Sequence, residues 1–90
     1  MVKAVVLINV DADQTVSASE LLAQMEGVIE VYSVAGKYDL VAVLSVDRNE
    51  ALAQLVTERI RKVPGVARTE TLIAFRSYSK RDIEGLLPMD

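Results

Sequence analysis

The chain contains no cysteine, no histidine and no tryptophan in its 90 residues. Without cysteine there is no disulfide framework and no thiol nucleophile, and without histidine the commonest general base and the commonest transition-metal ligand are missing. An enzyme is therefore disfavoured, and the sequence assigns no catalytic residue, no metal and no cofactor. Aromatic residues make up only 4% of the chain, and 10 Lys and Arg are outnumbered by 13 Asp and Glu, for a net charge of −3 and a pI near 4.9. The bases form no stripe interleaved with aromatics, which argues against direct contact with nucleic acid. Arg59, Arg61 and Lys62, and again Arg76, Lys80 and Arg81, read as solvated faces rather than phosphate contacts. No apolar run reaches the ~18 residues that span a bilayer, and Met1 leads into an apolar run with no basic leader or small-residue cleavage site. The expectation is a soluble, cytoplasmic chain with no membrane partner.

What is abundant is aliphatic: the hydrophobic fraction is 51%, mostly Val, Leu, Ile and Ala. A chain of 9.9 kDa should fold to one modest core with a surface of roughly 5,200 Å². That is more apolar material than so small a body hides, so some of it should meet a partner.

Val2 to Val10 is a dense aliphatic run too short for an isolated helix and reads as a buried strand. After the polar group from Asp11 to Thr15, Ala18, Leu21, Leu22 and Met25 recur at helical spacing, Ser17 and Glu20 have capping-box spacing, and Gly27 supplies the stop. Ile29 to Ala35 and Leu40 to Val46 are two aliphatic runs joined through Gly36, which accepts positive φ at no steric cost, so they predict an antiparallel hairpin. Asp47 and Glu50 repeat the capping spacing, Leu52, Leu55, Val56, Ile60 and Val63 line one face of a longer helix, and Pro64 and Gly65 end it. Val66 to Phe75 is the last strand. A weak helical turn near Asp82 is expected in the tail from Ser77 to Asp90, where Leu86 and Leu87 are candidates for docking on a neighbour.

The halves echo each other, "EGVIEVYSVA" after the first helix and "PGVARTETLIA" after the second. The predicted fold is α+β, a ferredoxin-like βαββαβ arrangement with a four-stranded antiparallel sheet and two helices on one face. Residues 1–76 form the domain and 77–90 the tail. Both sheet faces are apolar: Leu40, Ala42, Leu44 and Val46 alternate with Val41 and Val43, and Ala4, Val6 and Ile8 alternate with Val5 and Leu7. A monomer would expose a continuous aliphatic patch, so an obligate self-association is expected, with about 800 Å² buried per chain.

The polar turn in "VAGKYDLVAV" is the candidate site. At Gly36 successive backbone N–H groups can form an anion-accepting concavity, and the Asp39 carboxylate can accept from an ammonium group, so the pair suits a zwitterion. Gly and Asp are equally standard turn formers, Asp39 bonding only its own backbone, and Tyr38 is as readily a turn or interface side chain as a ligand lid. On the last strand Thr69 and Thr71 share a face and offer two hydroxyls ~7 Å apart, although Thr favours strands in any case. Spacing leaves both readings open.

Here the sequence resembles a family. "VYSVAGKYDLVAVLSV" is similar to the second and third strands of the effector-binding (RAM) domain of Lrp/AsnC transcriptional regulators, and "VPGVARTETLIAF" to that domain's final helix-to-strand passage. The likeness covers Met1 to Arg76. It implies a ferredoxin-like fold of the dimeric α+β barrel type, dimers joined through their sheets, further assembly into rings of dimers, and small effectors, usually amino acids, bound between dimers. Carried over residue by residue, it implies ligand contacts at Gly36, Tyr38, Asp39, Thr69 and Thr71. Lys37 lies in the same motif, but its side chain can snorkel away. Regulators of this family carry a helix-turn-helix domain, whereas Met1 here begins at the first effector-domain strand, so the expectation is a stand-alone effector domain that binds no DNA itself.

The leading reading is an oligomeric amino-acid-binding module that modulates transcriptional regulation of metabolism, possible partners being full-length Lrp/AsnC-type regulators. The alternative is a small dimeric α+β barrel enzyme, isomerase or monooxygenase-like; against it, Asp39 and Glu70 are the only acids near the proposed site and neither has an evident base partner. A third reading is a structural oligomer without a ligand.

Overall fold

The computed structural model describes residues 1–80. The expected weak turn near Asp82, and Leu86 and Leu87, lie outside the described residues. Strand β1 is Val2–Val10, helix α1 Thr15–Ala23, strand β2 Val28–Ser33, strand β3 Leu40–Val46, helix α2 Asn49–Gln54 and strand β4 Val66–Ile73. The four strands form one antiparallel sheet in the order β2-β3-β1-β4, so the first and third strands are central and the hairpin's first strand and the last strand are edges. Among the described residues no helix is long and apolar enough to cross a membrane.

Strand alternation sorts the side chains as expected. Ala4, Val6, Ile8 and Val10 of β1 and Leu40, Ala42 and Leu44 of β3 are buried in one cluster with Ala18 and Leu22 of α1 and Leu52 of α2. Each fully buried Val, Leu or Ile there contributes roughly 1.5–3 kcal/mol. Val5, Leu7, Val41 and Val43 point the other way and are half-buried, because no helix covers that face.

Three local expectations change. Ser17 is not a cap: α1 is entered through a 3-10 turn at Ala12–Gln14, and Ser17 lies inside the helix, its hydroxyl donating to the Gln14 carbonyl at 3.1 Å. Asp47 does not cap α2 either, since Arg48 is the residue preceding its first turn and makes no side-chain cap. Leu21 is 46% exposed, leaving Ala18 and Leu22, with Met25 packed against them, to bury α1.

The second helical segment is not α throughout. After Gln54 it widens into a π turn at Leu55–Arg59 and tightens into a 3-10 turn at Ile60–Lys62. Leu55 and Ile60, five residues apart, are both buried, and the Ile60 N–H donates to the Leu55 and Val56 carbonyls, the first of these being the i→i+5 bond of a π turn. Val56, expected on the same face, is only partly buried.

Gly65 ends the segment at φ 92°. Its carbonyl accepts from Asp11 N–H at 2.9 Å, and a Cβ there would stand 2.4 Å from Gln14 Cβ. Gly36 is also left-handed, at φ 141°, but a Cβ would meet nothing within 4 Å. Both positions strain any other residue, and only Gly65 adds a clash. Gly65→Ala is therefore expected to cost about 2–3 kcal/mol against about 1 for Gly36→Ala, read from urea midpoints of the two variants.

Candidate functional site

The candidate turn begins where the β1–β3 ladder stops. The last paired rung is Ile8 with Leu40. Beyond it the Asp39 N–H donates to the Ile8 carbonyl at 2.9 Å, and the Val34 N–H donates to the Asp39 carbonyl at 2.9 Å, closing the hairpin loop. The Asp39 carboxylate then stands in for the missing next rung, its Oδ2 accepting from Val10 N–H at 2.9 Å and from Asn9 Nδ2 at 3.4 Å. Asn9 Nδ2 also donates to the Lys37 carbonyl at 3.0 Å. The turn is thus stapled to the end of β1 by one strand residue that sequence reasoning passed over.

The structure therefore gives Asp39 a turn-holding role through one oxygen. Its Oδ1 accepts from no protein group among the described residues, and the N–H groups of Ala35, Gly36, Lys37 and Tyr38 likewise find no acceptor there. Backbone N–H donors and a free carboxylate oxygen are the kinds of group to which a small zwitterion can bind.

Tyr38 is half-buried and its hydroxyl donates to the carboxylate of Glu70 on β4. That bond is the main cause that pushes the phenol above its ordinary pKa; Arg68 pulls weakly the other way. On the same open face the neighbouring Glu30 carboxylate pushes the Tyr32 phenol up.

Thr69 and Thr71 do share a face, as expected, but it is the opposite one from Glu70. Thr69 pairs with Ile8 and Thr71 with Val6, on the helix side of the sheet, whereas Glu70 pairs with Leu7 on the open side. Both threonines are half-buried. Since Leu40 and Thr69 flank Ile8 on opposite sides, they are about two strand spacings, ~10 Å, apart. Within one chain the turn residues come together and the two threonines do not join them.

Two of the hollows in the surface of the described residues bear on where a site can lie. The larger, about 530 Å³, lies against the π turn and is lined by Gly27, Val46, Asp47, Gln54, Leu55 and Glu58 among others, and by none of the expected site residues. The smaller, about 440 Å³, is lined by Arg61, Val66, Ala67, Arg68 and Thr69. It places two arginines beside Thr69. Arg61 was expected to be a solvated charge only; its nearness to Thr69 depends on how the helical segment returns to β4, which spacing does not reveal.

The strand order and the two helices on one face place the chain in the ferredoxin-like α+β class, with the hairpin turn standing at the end of the central strands. The chain belongs to the Lrp/AsnC family: the family described as "Lrp/AsnC ligand binding domain" matches residues 3–83. It is 33% identical over 75 residues to an HTH-type transcriptional regulator of Pyrococcus furiosus, a match covering 80% of this chain and 50% of the regulator. The chain thus spans about half the length of the curated relatives it matches. Among solved structures, TTHA0845 of Thermus thermophilus superposes with a TM-score of 0.84 at 44% identity, over 89% of this chain and 100% of that one. The feast or famine regulatory protein Rv3291c of M. tuberculosis, solved in complex with L-methionine, superposes with a TM-score of 0.75 at 35% identity, over 90% of this chain and 55% of that one.

Proposed function

We propose that this domain is an effector-binding module for an amino acid or a close relative, working as an assembly of dimers. The observation that carries the reading is the β2–β3 turn: four N–H donors without a protein acceptor among the described residues beside a half-engaged carboxylate, in a chain similar to an M. tuberculosis regulatory protein solved with L-methionine. The effector's carboxylate lies against the donors around Gly36 and its ammonium group meets Asp39 Oδ1. Tyr38 flanks the effector in this reading without donating to it, its hydroxyl being committed to Glu70.

The threonines enter from a second copy. Thr69 and Thr71 lie on an edge strand, ~10 Å from the turn of their own chain, so a site that uses both segments forms where one copy's turn meets another's β4. The open sheet face supplies the reason for copies to meet. Val5, Leu7, Val41 and Val43 are half-buried there and Leu72 is 48% exposed, an aliphatic surface of the kind that a second sheet covers. Dimers joined in this way assemble further into a ring, and the ring modulates Lrp/AsnC-type regulators without touching DNA itself.

The enzyme reading draws on one observation, the hollow against the π turn, which lies within a single subunit. Its lining offers Glu26, Asp47, Glu58 and Arg59 but no histidine or cysteine. A thermal-shift scan of the proteinogenic amino acids at millimolar concentration distinguishes the readings. An effector present at 100 times its Kd should stabilise the protein by about 2.7 kcal/mol. The response should disappear when the turn is altered and persist in Glu58→Ala. A silent scan on an intact oligomer removes the amino-acid assignment.

A further inference from the structure

Tyr38 departs from the β2–β3 turn, yet its hydroxyl bonds to a residue of β4, with β1 standing between the two elements. The phenol reaches across the open face over the end of β1, toward the rung on which Val41, Leu7 and Glu70 are aligned. Apart from the Val34–Asp39 bond that closes the turn on itself, the other hydrogen bonds of the turn among the described residues run to β1: the Asp39 N–H to Ile8, and the side chains of Asp39 and Asn9 to each other and to the neighbouring backbone. Among the described residues, the Tyr38–Glu70 bond alone ties the turn to β4.

We infer that Glu70 is a positioning residue of the effector site, its carboxylate clasping Tyr38 and thereby holding the β2–β3 turn in a fixed relation to β4. The inference rests on the effector reading above and extends it. A turn pinned at one end only has to be ordered when a ligand arrives, and that ordering weakens binding; a turn pinned at both ends is already ordered. Glu70 touches no ligand in this arrangement and acts through Tyr38.

The charged groups that act on the Tyr38 hydroxyl are Glu70 and Arg68, both from β4; Lys37 and Asp39 flank Tyr38 in sequence, and the neutral Asn9 of β1 bonds to both of them. The Glu70 bond keeps the phenol protonated to higher pH than an ordinary tyrosine. The clasp therefore contributes fully below the ordinary tyrosine range of about pH 10 and is lost as pH rises through the higher folded-state value.

The test compares Tyr38→Phe, Glu70→Ala, Glu70→Gln and the double variant Tyr38→Phe/Glu70→Ala, all without ligand at first. Hydrogen exchange is read at the Val34 and Asp39 amides, which close the turn. Tyr38→Phe and Glu70→Ala should each speed it about threefold, the double variant no further, and Glu70→Gln, which keeps an acceptor oxygen, should stay near the wild-type rate. Tyrosinate absorbance should show one phenol titrating lower in Glu70→Ala. If Glu70→Ala leaves both exchange and titration unchanged, or if the two single effects add, there is no clasp. If the variants change the oligomeric mass instead, Glu70 acts through the sheet face and the inference fails. With an effector from the scan in hand, the same cycle should weaken affinity by a similar, non-additive factor. A silent scan removes the effector reading, while exchange and titration still decide whether Glu70 holds the turn.

Discussion

Val43→Asp should convert the assembly to folded monomers. Val43 lies in the middle of the open face, on the rung shared with Val5 of β1 and Glu30 of β2. Its side chain points away from Leu40, Ala42 and Leu44, so the change leaves the core layer untouched. A carboxylate placed there has no basic partner on its own rung and sits beside the acid Glu30. Burying it against a second sheet costs several kcal/mol, and even 3 kcal/mol raises a dimer dissociation constant by about 150-fold. Aspartate is the stricter choice because a lysine at this position can snorkel to the rim. Within the monomer the loss is limited to strand preference, about 1 kcal/mol. Sedimentation should show half the mass or less, with the circular dichroism of the folded chain retained. An unchanged assembly would mean that copies associate through another surface.

Asp39→Ala should both weaken the fold and silence the effector response. The carboxylate serves Val10 and Asn9 with one oxygen and leaves the other free. Removing it takes a charged acceptor from a half-buried backbone N–H, a loss of about 1–2 kcal/mol. At 4–8 °C per kcal/mol for a domain of this size, Tm should fall by roughly 4–16 °C. Asp39→Asn separates the two roles. Its amide oxygen still accepts from Val10, so most of the stability returns, while the charge that meets an ammonium group is gone. The response to amino acids should therefore be absent in both variants, and only Asp39→Ala should melt early. A response that survives in Asp39→Asn would move the ammonium contact elsewhere.

The sheet was readable because its signal is periodic. Alternation in "KAVVLINV" and "LVAVLSV" places each residue on a face, and the turn at Gly36 sets the hairpin, so the strand order and the two apolar faces follow from the chain. Helix ends were less readable. Ser17 and Asp47 have capping spacing, yet Ser17 bonds back to Gln14 from inside the helix and α2 starts after Arg48, since a 3-10 entry turn or an extended residue begins a helix without a side-chain cap. The run from Leu52 to Val63 reads as one helical face, and nothing in its composition marks the π turn at Leu55–Arg59.

For the site, the three turn residues lie together as expected, whereas Thr69 and Thr71 lie on the helix side of an edge strand. The residue passed over is Asn9, and the contact passed over is the Tyr38–Glu70 bond. Asn9 was legible in retrospect as one of only two polar residues, with Lys3, inside an aliphatic strand. Glu70 was placed near the site, but its bond to Tyr38 was not legible: the two lie 32 residues apart in sequence, and the register that brings them together is a property of the folded sheet.

The central claim is that the uncovered sheet face obliges copies of this chain to pair and that effector sites form where they meet. Light scattering of the purified protein at micromolar concentration tests this most directly. The expected mass is that of a dimer or a whole multiple of dimers, with no folded monomer present. A well-folded monomer at that concentration would contradict the account.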